Sequence, residues 1–282
     1  MSAALRAELR KLSTTRMWWL TTVAMAGYMA LMGVIMAFSL VMGNRQAQKA
    51  VEAGQAPSGG SALTGGTMVL DASAIASSTY TLAVALGYIF PVVLGTIAVT
   101  SEFRHRTITP TLLAEPRRTL VLGAKAVAIV PYAVVLAIAG TLGTVVGGAA
   151  TLGVMGEPTM LADPAIRRTI VMSVLALVIW ALVGVGFGSV LTNQVAAIVV
   201  LLAFTQFVEP LLRILLAQFD LTEGVSKFLP GAAGEAIAGS SLYVSSGLAQ
   251  VLGAWQGVAV LLGYAVVLIV IGRLTTFRRD IG

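Results

Sequence analysis

Few side chains in this sequence have the chemistry to act on a substrate, and they are scattered. His105 is the single histidine and there is no cysteine, so thiolate metal sites, thiol nucleophiles and disulfides are excluded. A Ser–His hydrolase would need its serine on a strained elbow, and Gly186-Phe187-Gly188-Ser189 does not fit the Gly-x-Ser-x-Gly pattern. The sequence has no carboxylate or histidine cluster at metal-ligand spacing, and no Gly-x-x-x-x-Gly-Lys-Ser/Thr loop to cradle a nucleotide. One ionisable pair stands inside an apolar stretch: Glu209 with Arg213 at i+4, the order that favours an ion pair within a helix. Such a pair is either a candidate translocation-path site or a structural pair whose ends snorkel to water, and the structural pair is expected here.

The elements that must position these groups are membrane spans. A hydrophobic fraction of 57% with only 11% charged residues cannot supply a polar surface around a soluble core. The apolar runs are Trp18 to Met42, Ala72 to Ser101, Ala126 to Val154, Thr169 to Leu191, Val195 to Leu216 and Leu248 to Gly272. Each exceeds the ~20 residues a helix needs to cross ~30 Å of hydrocarbon. The uncharged run from Thr169 to Val208 would make a helix of ~60 Å, so it must fold back, with Thr192-Asn193-Gln194 as the turn. Its second half must then continue through Glu209 and Pro210 to complete a crossing. Pro91 and Pro131 remove donors inside the second and third spans, freeing the carbonyls of Gly87 and Val127.

Six crossings put both termini on one side. Twelve of the eighteen basic residues lie on that side, with four of the twelve acids, a balance of +8 against −2 opposite. Lys and Arg near span ends are retained in the cytoplasm, so both termini are expected there. The basic charge is then an insertion signal, and no basic cluster interleaved with aromatics points to a nucleic-acid partner. No Asn-x-Ser/Thr sequon occurs, which is compatible with a bacterial origin. The first run is too long for a signal-peptide core and is expected to be a retained helix.

The segments between spans carry patterns of their own. In residues 1–16, Met1, Leu5, Leu9 and Leu12 share a helical stripe while Arg6, Arg10 and Lys11 lie off it, an interfacial-helix pattern whose basic residues would face anionic headgroups. The first loop, Gly43 to Asp71, opens with a helix-compatible piece at Gln46 to Ala53 and then turns Gly- and Ser-rich, a composition expected to be flexible. Between Ala217 and Gly247, Phe228-Leu229-Pro230-Gly231-Ala232-Ala233 and Ala236-Ile237-Ala238 are too apolar for a loop in water and too broken to span. They read as two short re-entrant helices on the outer side. Small residues at Ala139, Gly143 and Gly147, and at Gly184 and Gly188, give ridges where backbones can approach inside the bundle.

The segment between the second and third spans reads Thr100-Ser101-Glu102-Phe103-Arg104-His105-Arg106-Thr107-Ile108-Thr109-Pro110-Thr111-Leu112-Leu113-Ala114-Glu115-Pro116-Arg117-Arg118, with Lys125 downstream. It resembles the type-2 ATP-binding-cassette exporter permeases. In that family a Glu-aromatic-Arg start, a Thr, a paired-Leu helix, a Pro and a later Lys build the coupling helix that docks into a cytosolic ATPase. The matching positions are Glu102, Phe103, Arg104, Thr107, Leu112, Leu113, Pro116 and Lys125. Arg106 departs from the family, where many members carry Gly before the Thr. Phe277-Arg278-Arg279-Asp280-Ile281 and Leu229-Pro230-Gly231 resemble the family's C-terminus and outer re-entrant segment.

The expectation is an all-α membrane protein forming one transmembrane domain over residues 1–282. It would have an N-terminal amphipathic interfacial helix, six transmembrane helices, a cytoplasmic coupling helix between spans 2 and 3, and an outer re-entrant segment before span 6. The resemblance implies the permease subunit of an exporter in the bacterial inner membrane, paired with a second permease subunit, either a homodimer or a paralogous heterodimer. A cytosolic ATPase subunit would bind the ATP and Mg, with no cofactor on this chain and lipids as its surroundings. Little internal charge favours hydrophobic or amphipathic cargo such as a drug, lipid or peptide. The alternative is a non-transporting membrane sensor or scaffold whose cytoplasmic loop binds a partner.

Overall fold

The computed structural model describes residues 2–54, 69–217, 223–239 and 252–277. Among these, every regular element is helical. A short helix α1 (Ser2–Thr14) leads into α2 (Met17–Glu52), the first of six helical runs long and apolar enough to cross a membrane. The second run is broken into α3 (Ala72–Tyr80), α4 (Leu82–Ala85) and α5 (Ile89–Arg104). After the short α6 (Ile108–Ala114) come α7 (Arg118–Val154) and α8 (Pro164–Val190), the third and fourth runs. The fifth joins α9 (Gln194–Ala203), a π turn over Phe204–Val208 and α10 (Glu209–Ala217). Short helices α11 (Glu223–Ser226) and α12 (Pro230–Ala238) precede the sixth, α13 (Ala254–Thr275).

Side-chain burial reports the solvent these helices are built for. Val23, Leu31, Val146, Val171, Val199, Phe207 and Val266 all point outward. That is an apolar exterior suited to lipid, where each backbone group must be satisfied within its own helix. The interior is held by close helix contact. A Cβ on Gly143 or Gly147 would strike the carbonyl of Ala26 or Ala30 in α2, and one on Gly184 or Gly188 would strike Val92 or Thr96 in α5. The small ridges therefore bring α2 onto α7 and α5 onto α8, and Thr96 Oγ1 donates to the Gly184 carbonyl across the second contact at 3.2 Å.

The helix breaks have local causes. The expected continuous second span is interrupted at Thr81 and again over Leu86–Tyr88. Pro91 cannot donate to Gly87, so that carbonyl takes the Phe90 N–H instead, and Pro91 falls in the first turn of α5 where its missing N–H costs nothing. Pro210 acts similarly on the fifth span. It has no N–H for the Gln206 carbonyl, and the turn before it widens until Glu209 N–H reaches the Phe204 carbonyl, five residues back. Pro131, by contrast, is carried inside an unbroken α7.

Several boundaries differ from the sequence reading. Gln46 to Glu52 prolongs α2 rather than starting a loop helix, tied there by Arg45, which reaches the Met155 carbonyl at 2.5 Å and Glu157 at 3.3 Å. Asn44 holds both the N–H and the carbonyl of Leu70. The Gly- and Ser-rich part of the first loop, residues 240–251 and the terminal 278–282 lie outside the described residues.

Candidate functional site

The segment that follows α5 ends its helix in a defined way. Thr107 N–H bonds to the Glu102 carbonyl at 2.8 Å and Arg106 N–H to the Phe103 carbonyl at 3.2 Å. This paired closure needs its penultimate residue in the left-handed region, and Arg106 has φ +54°. An arginine thus occupies a backbone position that favours glycine. The turn delivers Thr107 as the first residue before α6, where its carbonyl accepts both the N–H and the hydroxyl of Thr111.

The three residues Glu102-Phe103-Arg104 fan out from the end of α5 to four different elements. Glu102 is 5% exposed. Its Oε1 receives Lys11 of α1 at 2.6 Å and Lys125 of α7 at 2.9 Å. Glu8 of α1 closes the ring, meeting Lys11 at 2.7 Å and Lys125 at 2.9 Å. Two carboxylates and two ammoniums therefore lock α1, α5 and α7 together, and the Ala98 carbonyl takes a further proton of Lys125 at 3.2 Å. Lys11 also approaches the Thr111 hydroxyl of α6 at 3.5 Å. Phe103 sets its edge against Phe277, just beyond α13, with ring centroids 5.6 Å apart. The Phe277 carbonyl is taken by Arg118. Arg104 reaches Gln194 at the start of α9 at 3.3 Å.

Electrostatics in the ring follow from its asymmetric burial. Burial by itself would depress the Lys11 ammonium, but hydrogen bonds from Glu102 and Glu8 and their charges outweigh it and hold Lys11 above its usual 10.5. This differs from the sequence expectation that Lys11 faces headgroups: its charge is turned inward onto two acids. Lys125 is enclosed, with 1% of its side chain exposed.

The paired leucines separate. Leu112 packs against the core beneath α6, together with the buried Ile108, while Leu113 is 79% exposed. Of the two apolar anchors expected for docking, the structure leaves Leu113 outward.

Glu209 and Arg213 form the second site, and here the snorkelling expectation is corrected. Glu209 is 2% and Arg213 5% exposed, because α12 covers them. Arg213 Nη2 meets Glu209 Oε1 at 2.6 Å, Arg213 Nη1 meets Glu235 of α12 at 3.0 Å, and Ala232 N–H donates to Glu209 Oε1 at 3.1 Å. Gly231 is what lets α12 close on the pair, since a Cβ there would collide with both side chains. Beside them Tyr88 stacks on Trp180 with centroids 4.6 Å apart and accepts a hydrogen bond from Gln206 at 2.8 Å. Among the described residues Glu209 Oε2 and Trp180 Nε1 are buried without a hydrogen-bond partner.

Glu8 and Glu235 are the members the sequence reading missed. Each left a signal: Glu8 interrupts the Leu5, Leu9, Leu12 stripe, and Glu235 is the lone acid in an Ala- and Gly-rich apolar piece. Compared with protein-family models and with curated proteins, the chain matches none.

Proposed function

We propose that this chain is the membrane-spanning subunit of an ATP-driven exporter, resembling the type-2 ATP-binding-cassette permeases, and that residues 102–116 couple it to a cytosolic ATPase. One observation carries the reading: the short helix α6 is fixed at its start to α1, α7, α9 and the end of α13 through Glu102, Phe103 and Arg104, while Leu113 projects outward. A push on Leu113 would be transmitted to α5 and to these four elements together. In this reading the α1 end is cytoplasmic, α1 is an amphipathic interfacial helix, and α11 and α12 are the outer re-entrant segment. Glu209 and Arg213 then fasten the outer end of the path by holding α12 against the fifth span. The outward apolar faces of α2, α10 and α13 are available to lipid and to a second permease subunit, and the cargo is hydrophobic or amphipathic. ATP and Mg belong to the partner.

The test is purification of the tagged chain from cross-linked membranes, with copurifying proteins identified by mass spectrometry. An ATP-binding-cassette ATPase should be recovered. Leu113→Ala should weaken its retention by roughly 30-fold, the effect of losing an apolar anchor of ~2 kcal/mol, with the membrane level of the chain unchanged. Leu112→Ala should lower thermal stability instead. Recovery of a cytosolic partner without an ATP-binding motif, and no ATPase, would establish the sensor or scaffold alternative in its place.

A further inference from the structure

A groove of about 760 Å³ opens at the α1 end of the bundle, between the start of α7 and the last turn of α13. Arg117, Arg118 and Arg273 line it, with Thr119 and Gly123 between them and no carboxylate among the described residues of its walls. Arg118 is engaged with the Phe277 carbonyl, so an incoming anion falls to the other two. Arg273 is held in the wall by its Nε, which donates to Thr119 Oγ1 at 2.9 Å and leaves the Nη donors for a ligand. The acid nearest in sequence, Glu115, turns an oxygen to the Arg117 N–H at 3.3 Å. Gly123 keeps the floor open, with nothing within 4 Å of where a Cβ would lie.

The depth and surroundings of the groove decide what sort of anion fits. Arg273 directly follows Gly272, the last residue of the final apolar run, which places its guanidinium at the level of lipid phosphates. One turn further along from Gly123 stands Val127, and one and two turns from Arg273 stand Val270 and Val266, all outward and apolar. A soluble anion would use the arginines and leave those valines idle. A phospholipid uses both, with phosphate on the guanidiniums and chains along the valines.

We infer that this groove is a binding site for one anionic phospholipid, with Arg117 and Arg273 holding its phosphate. The experiment is native mass spectrometry of the full-length chain in detergent, with phosphatidylglycerol or phosphatidylcholine added. The parent should retain phosphatidylglycerol preferentially. Arg117→Gln with Arg273→Gln should weaken that retention roughly 30-fold, at about 1 kcal/mol for each of the two arginines near the surface, and leave phosphatidylcholine unchanged. Arg117→Lys with Arg273→Lys keeps the charge and should restore most of it, which separates a lost site from a damaged fold. Equal retention by the glutamine variant and the parent would overturn the inference. Displacement of the lipid by millimolar inorganic phosphate would overturn it in favour of a soluble anion.

Discussion

Lys125 is enclosed in an apolar bundle, and its ammonium is paired there with both Glu8 and Glu102. Removing one member of a buried ion cluster leaves the others uncompensated, at a cost of about 3–5 kcal/mol. Lys125→Met should therefore lower the thermal midpoint sharply, followed by tryptophan fluorescence, while Lys11→Met should cost much less because the Lys11 side chain is 44% exposed to water. Lys11 also sets a pH dependence. Its folded-state value is raised, so its contribution is complete below 10.5 and fades as pH climbs through the raised value. Asp71, capping α3 through the Ala74 N–H and the Ser73 hydroxyl, is held below 3.8, so its contribution is complete above that pH and fades as pH falls through the lowered value. Loss of the alkaline decline in Lys11→Met would check the first of these. Arg106 gives the opposite sign: a non-glycine residue at φ +54° costs about 1–2 kcal/mol, against about 0.5–1 of extra chain entropy for glycine, so Arg106→Gly should raise stability slightly. Glu102, Phe103 and Arg104 stand out in the sequence only through the resemblance to a permease family, which does not tell that they diverge to separate elements. Contacts across 91 or 117 residues, such as Lys11 to Glu102 and Glu8 to Lys125, have no local pattern to read.

At the scale of elements, apolar run length located the six long apolar helical runs, and small-residue spacing located the packing ridges. Both signals are periodic and local. What escaped was where a helix yields: Gly87 and Pro91 marked the lower break of the second run, whereas the break at Thr81 has no proline or glycine beside it. The extension of α2 past Met42 depends on Arg45 finding the Met155 carbonyl and Glu157, partners supplied only by the fold. The glycine contacts allow a direct comparison along one helix. A side chain on Gly147 meets the Ala30 backbone, which cannot move aside, whereas one on Gly153 meets nothing within 4 Å. Gly147→Leu should separate α2 from α7 and reduce the yield of folded protein, with a cost above the 1–3 kcal/mol of ordinary overpacking. Gly153→Leu in the same helix should behave like the parent in size-exclusion and thermal assays. Equal behaviour of the two variants would mean that α2 and α7 do not pack through this ridge.

Over the whole molecule, two buried ion clusters sit at different levels of the bundle. The ring of Glu8, Lys11, Glu102 and Lys125 gathers α1, α5 and α7 at one level, and Glu209, Arg213 and Glu235 join the fifth span to α12 at the other. Sequence distance along a single helix gives the depth of Glu209 as ~21 Å from Val195, but it cannot reveal that α12 folds over the pair and excludes water. That covering changes what a charge exchange should do. For a pair with its ends in water, Glu209→Arg combined with Arg213→Glu would be nearly neutral, since the same two charges still meet. In the enclosed site a carboxylate at position 213 would confront Glu235, and a guanidinium at 209 would confront the Ala232 N–H that now donates to Glu209. The double exchange should therefore be destabilising by several kcal/mol, comparable to breaking a buried pair outright. Thermal midpoint and membrane level of the purified double variant measure this. A variant as stable as the parent would place the pair in water and detach α12 from the fifth span.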